Sequence, residues 1–179
     1  MKLYVIRHGE TDWNRLHLLQ GIHDTDLTEL GVEQAKEAAK SLKDVPLDAA
    51  FVSPLKRTRM TAAILLEGRD IPVFYDDRFR ERKFGEAEGM KIPEVDLTDS
   101  WTFGARPKYE GMESADEFLA RVSAGLDDIY AAYPNGSVLL VTHGGTSTAI
   151  GRYFLGPPSR RGEYYLQNCV VREYEKPAP

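Results

Sequence analysis

Cysteine is all but missing from this 179-residue chain: Cys169 stands alone, so no disulfide can close within it. That fits a reducing compartment, and the cytoplasm is the expected setting. Long apolar runs are missing as well. No stretch approaches the ~20 apolar residues of a membrane helix, and the apolar run in MKLYVIRHGE is far too short for a secretory signal. A basic excess is also lacking. With 23 Lys and Arg against 28 Asp and Glu, the net charge is −5, which argues against a nucleic-acid binder. A small anionic substrate remains open, because a few arginines can dominate one pocket. Internal repeats are absent, and the only biased tract is the closing Lys176-Pro-Ala-Pro. What is present, 42% hydrophobic and 28% charged residues, is ordinary for a globular protein. One domain over residues 1–179 is expected, as a monomer or a homodimer.

Strand-like runs fall at LYVI (3–6), AAFV (49–52), PVFY (72–75), SVLLVT (137–142) and CVVREY (169–174). Helical patterns lie between them. Thr28 precedes a segment in which Ala35, Ala38, Ala39 and Leu42 share one helix face. Residues 55–68 are good helix formers ending in Gly68. Ser114 and Glu117 make a capping box ahead of the stripe Leu119, Val122, Leu126, Ile129 and Tyr133. Residues 145–156 continue the series as a helix. Alternating strands and helices predict an α/β sandwich with a mostly parallel sheet of short buried strands. Residues 85–113, rich in Gly, Pro and acids, read as a long excursion over that sheet.

The chain has four histidines, and two share the same pattern. YVIRHGE delivers an apolar strand into Arg7-His8-Gly9, and VLLVTHGG delivers another into His143-Gly144. Ligands of open parallel sheets bind at the carboxyl ends of strands, so both imidazoles are expected at one edge. A third strand leaves at Ser53-Pro54 into a helix carrying Arg57 and Arg59. Arg57 is expected to converge with Arg7 on the same edge, whereas Arg59 reads as a solvated side chain. Arginine suits such a place because its planar fork grips phosphate and stays charged. Glu81 sits among Arg78, Arg80, Arg82 and Lys83; it is either a surface ion partner or, facing a bound dianion, a proton donor. Two histidines, two arginines and a carboxyl suit phosphoryl transfer through histidine without a metal.

These residues carry a family resemblance. Arg7-His8-Gly9-Glu10-Thr11, Asn14, Gly21, Leu27-Thr28 with Gly31, Ser53-Pro54-Leu55 with Arg57 and Thr61 form its first half. Glu81 with Phe84-Gly85, Glu88-Gly89, Glu113-Ser114 and His143-Gly144-Gly145 complete it. The chain resembles the histidine phosphatase superfamily, the phosphoglycerate-mutase-like proteins. The resemblance implies a three-layer α/β/α sandwich in which His8 is the phosphorylated nucleophile and Arg7, Arg57 and His143 form the phosphate pocket. It further implies Asn14 and the Gly144 N–H as phosphate donors, Glu81 as the proton donor, and Gln20 and Gly21 against the rest of the substrate. Thr11 reads as a helix cap. No cofactor, metal, nucleic acid or membrane is expected, only a small phosphorylated substrate.

Departures flank the excursion: Ala87 where a Trp is frequent, and Gly111-Met112 where a Gly pair is common. They bear on which substrate is taken. The family's phosphoglycerate mutases carry a longer, basic insertion where this chain has the short, weakly basic Lys91–Gly111 stretch, so the resemblance implies hydrolysis over mutase chemistry; a non-catalytic phosphate-binding module is the reading from another class. A lipase-like reading of Gly145-Thr-Ser147 fails because no histidine comes after His143. His17, His23, Asp24 and Asp26 match no familiar metal-ligand spacing.

Overall fold

The computed structural model describes residues 1–176; the last three residues of the expected domain, the Pro-Ala-Pro of the tail, lie outside the described residues. Five strands form one sheet: β1 (Lys2–Arg7), β2 (Ala49–Val52), β3 (Val73–Tyr75), β4 (Ser137–Thr142) and β5 (Val171–Glu175), in the order β3-β2-β4-β1-β5. The first four run parallel and β5 pairs antiparallel with β1. The helices are α1 (Asp12–Arg15), α2 (Glu29–Leu42), α3 (Lys56–Leu65), α4 (Ala115–Ala132) and α5 (Gly144–Leu155).

Alternation along the strands sorts the core into two layers. Leu3, Val5, Val138 and Leu140 meet Phe118, Val122 and Leu126 of α4 and Ile150 of α5. Ile6, Leu139, Val141 and Val52 turn the other way, onto Ala38 and Leu42 of α2 and Ala62 and Leu65 of α3. A sheet covered on both faces by helices is the three-layer sandwich read from the sequence. The helix starts agree as well. The Thr28 hydroxyl accepts the Gly31 N–H, and Ser114 and Glu117 form the reciprocal capping box.

Two strand expectations are corrected. The last strand begins at Val171 rather than Cys169. Cys169 has φ 55° and gives its N–H to the Arg7 carbonyl, so it belongs to a turn that a ladder cannot absorb. β3 is not buried: Val73, Phe74 and Tyr75 are all exposed, because β3 closes one edge of the sheet.

Residues 85–113 carry only two short 3-10 turns, Gly85–Ala87 and Ile92–Glu94. The excursion is pinched shut at its base. Phe84 bridges Met112, and the Glu86 N–H donates to the Glu110 carbonyl at 3.1 Å. Gly85, at φ 59°, makes that pinch possible, since a Cβ there would lie 1.9 Å from the Glu110 oxygen.

Candidate active site

Parallel pairing brings the strand ends together. Arg7 lies opposite Thr142 in the β1–β4 ladder, and Val52 lies opposite Val141 in the β2–β4 ladder. The next residue of each strand, His8, His143 and Ser53, therefore leaves the sheet at one edge. His8 and His143 stand edge to face with ring centres 5.3 Å apart. Both are buried.

The state of His8 is set by its two neighbours. Nδ1 lies 2.7 Å from the Gly9 carbonyl oxygen, an acceptor, so Nδ1 carries the proton. Nε2 then keeps its lone pair, and Arg57 Nε donates to it at 3.2 Å. Burial first, then the charges of Arg57 and Arg7, hold the imidazole well below its ordinary pKa of 6.5. His8 is thus a neutral imidazole with its lone pair beside a guanidinium. The same forces keep His143 neutral, burial first and then Arg57.

Arg57 is almost wholly enclosed, and burial pushes its pKa down to about 10, still charged at neutral pH. Its other two nitrogens donate to the carbonyls of Gly21 and His23, each at 2.7 Å. Arg59, two residues on, is exposed and lies over the Tyr75 ring, so the expected contrast between the two arginines is seen. Arg7 donates to the Leu166 carbonyl and stacks on Tyr165, while its Nε is buried without a partner among the described residues. A buried donor left unpaired costs about 1–3 kcal/mol, and an anion bound at this edge would complete it.

Glu81 reaches the edge from the segment after β3. Its carboxylate accepts the N–H groups of Gly145 and Thr146, at 2.8 and 3.1 Å, in the first turn of α5. A positive helix end suits a carboxylate there. Arg121 fixes the segment behind it: this guanidinium donates to the carbonyls of Arg78, Arg80 and Glu81 and to both oxygens of Glu113. Glu81 therefore faces the site and is not a surface ion partner.

The remaining candidates sit around this group. Asn14 Oδ1 accepts from Thr11 and Asn168, leaving the Asn14 amide NH2 as a donor. Thr11 caps α1, as expected. Gln20 Oε1 accepts from the Thr11 and Thr25 hydroxyls, so the donor end is what Gln20 can offer a substrate. Gly21, at φ 52°, lets the loop pass Glu88, whose Oε1 would lie 2.1 Å from a Cβ. Gly144 opens α5 behind His143. Three contributors escaped the sequence reading. Asn168 ties the His8 carbonyl to Asn14, Arg121 anchors the Glu81 segment, and Ser53 meets His143. Ser53 stood in the strand-exit Ser53-Pro54-Leu55 block without a role assigned to it, while Asn168 and Arg121 belong to no local pattern that could have marked them.

Beside Glu81 opens a cavity of about 480 Å³. Leu19, Phe84, Ile92, Leu97 and Trp101 give it an apolar wall, and Arg152 and Arg161 add charge. Among the described residues no cluster of His, Cys, Asp or Glu is arranged to hold a metal ion. Asp24 and Asp26 are taken up instead by the backbone and side chain of Lys56. No helix of the described residues is long and apolar enough to cross a membrane.

Known proteins share this arrangement of sequence and fold. The Histidine phosphatase superfamily (branch 1) matches residues 3–176. The uncharacterized phosphatase PhoE of Bacillus subtilis is 39% identical over 146 residues, covering 82% of this chain and 73% of that protein. The probable phosphoglycerate mutase GpmB of Erwinia tasmaniensis is 30% identical over 181 residues, covering 96% of this chain and 83% of the relative. The solved structure of Bacillus stearothermophilus YhfR superposes with a TM-score of 0.85 at 30% identity, over 97% of this chain and 90% of that one. With the match running almost end to end, the chain belongs to the histidine phosphatase superfamily.

Proposed function

We propose that this protein is a phosphomonoesterase, acting as one domain, that hydrolyses a small phosphorylated metabolite through a phosphohistidine at His8. The observation that carries this reading is the state of His8, neutral and buried, with Nδ1–H tied to Gly9 and the Nε2 lone pair beside Arg57. A neutral imidazole of that tautomer is a competent nucleophile toward phosphorus. Arg7, Arg57, His143, Asn14 and the Gly144 N–H gather the phosphoryl oxygens, whose charge spreads in the transition state. Nε2 attacks phosphorus and the ester P–O bond breaks, with Glu81, in its protonated form, giving its proton to the departing oxygen and becoming the carboxylate. Water then attacks the phosphohistidine, Glu81 takes a proton from that water, the P–N bond breaks, and phosphate leaves. This route calls for no metal ion. The leaving alcohol fits the apolar cavity beside Glu81.

A mutase reading is favoured by one observation, the GpmB relative that spans nearly the whole chain. Against it, the excursion is short and one of its few cations, Lys108, is paired with Asp96. One experiment separates the readings. A panel of phosphate monoesters, with 3-phosphoglycerate tried alone and with 2,3-bisphosphoglycerate, is combined with trapping of acid-labile phosphoenzyme. Phosphate release with label on the wild type, both lost in His8→Ala, is the expected outcome. Isomerisation that depends on bisphosphoglycerate would name a mutase, and turnover retained by His8→Ala would sink the mechanism.

A further inference from the structure

Ser53 leaves β2 at the sheet edge with its backbone fixed on both sides. Its N–H donates to the Val141 carbonyl at 3.0 Å, and its carbonyl accepts the Thr58 hydroxyl at 2.8 Å. Among the described residues its own hydroxyl meets one group, His143 Nε2, at 2.7 Å, and both residues are fully enclosed. The other ring nitrogen of His143, Nδ1, is buried with no partner among the described residues. The ring stands against His8 in the field of Arg7 and Arg57.

A neutral imidazole carries one N–H, so two proton arrangements are possible. If Nε2 held it, Nε2–H would donate to Ser53 Oγ, and the serine proton would be left without an acceptor. Nδ1 would then be a bare lone pair, repelling any phosphoryl oxygen that came near. If Nδ1 holds it, the serine hydroxyl donates to the Nε2 lone pair and both of those groups are satisfied. The unpaired atom is then an N–H donor, the one kind of group that an incoming anion completes. Burying an unpaired donor is tolerable only if something pairs it at work.

We propose that Ser53 is a positioning residue that locks His143 as its Nδ1–H tautomer and so makes the buried Nδ1–H a donor to the phosphoryl group on its way to His8. Resting on the phosphoryl-transfer reading above, this gives the two histidines distinct jobs by the same device. Gly9 removes the Nδ1 lone pair of His8 from play and leaves Nε2 to attack. Ser53 occupies the Nε2 lone pair of His143 and leaves Nδ1 to donate.

The test is a tautomer measurement on the full chain with 15N-labelled histidine, using long-range proton–nitrogen correlations. The His143 signals are assigned by their loss in His143→Gln. Wild type should show a protonated Nδ1 and an unprotonated Nε2 at His143, and added inorganic phosphate should shift the Nδ1 proton. Ser53→Ala should lose that preference while His8 keeps its own. With 4-nitrophenyl phosphate its kcat/KM should fall roughly ten- to a hundredfold, since a single donor or a wrong tautomer at such a site costs at least that much. Ser53→Thr, which keeps the hydroxyl, should restore tautomer and rate together. Wild-type His143 protonated at Nε2 would overturn the proposal without reference to any variant, as would a Ser53→Ala protein with unchanged tautomer. If wild type turns over no ester yet His143 shows the Nδ1–H form and binds phosphate through it, the hydrolase reading fails and the role of Ser53 stands.

Discussion

Two buried, neutral histidines make the stability of this protein sensitive to mild acid. Burial, then the arginine charges, holds both His8 and His143 well below the ordinary value of 6.5. The unfolded chain takes up a proton at each below that value, and the folded chain does not. Stability is therefore full above about pH 6.5 and is lost as pH falls from there. At pH 5.5 a histidine that stays neutral only when folded costs on the order of 1 kcal/mol, so the pair costs up to about 3 kcal/mol. That is a large share of the roughly 5–15 kcal/mol that holds a domain folded, and it corresponds to a fall of roughly 6–11 °C in Tm. The window matters, because Asp76 and Asp96, both held below their ordinary values by arginine or lysine, lose their contribution only in stronger acid. Urea unfolding at pH 7.5, 6.5 and 5.5, in buffers free of phosphate, measures the effect. A double His8→Gln, His143→Gln variant, which has nothing to titrate at the site, should show a much flatter profile. The reasoning fails if wild type loses less than about 1 kcal/mol between pH 7.5 and 5.5, or if the double variant loses as much as wild type.

Three further outcomes are expected. Gly145→Ala places a Cβ 2.4 Å from Glu81 Oε1; pushing the carboxylate off α5 should lower kcat roughly a hundredfold with little change in affinity for inorganic phosphate, and steady-state kinetics with product inhibition will show it. Arg121→Met removes the guanidinium that holds three carbonyls and Glu113; urea unfolding should show a loss of about 2–4 kcal/mol, with activity falling too as the Glu81 segment loosens. Prolonged treatment with a chelator should leave phosphatase activity intact, and activity restored only by a divalent ion would count against the metal-independent route.

The parts of the site that lie next to one another in sequence were the legible ones. Arg7-His8 and His143-Gly144 each come directly after an apolar strand. Parallel strands carry their last residues to one edge, so the sequence alone could place these side chains. Thr28 and Ser114 were legible for a similar reason, since a cap is a local contract between a hydroxyl and a nearby N–H. The contact of Ser53 with His143, and the roles of Asn168 and Arg121, were not. Their partners lie 90, 160 and about 40 residues away, and no periodicity or propensity encodes a contact across that distance. The late start of β5 was hidden too. Val170 continues the β-branched run, but the chain turns at Cys169 to pair with Arg7, a tertiary demand that local preference does not register.

The pinched base of the 85–113 excursion has a consequence for how this family can change. Because Phe84 and Met112 clamp the two ends together, residues added or lost at the tip, away from the Leu18–Lys91 bridge and the Ser100 carbonyl that Arg82 holds, leave the strand ends in place. Closing a loop twice as long costs only about 0.6 kcal/mol more. Length variation there is thermodynamically cheap, and it reshapes the mouth that Ile92, Leu97 and Trp101 line. New selectivity can thus evolve, or be engineered, by exchanging the tip of a tethered cap, while the proposed reactive groups on the strand ends stay in place.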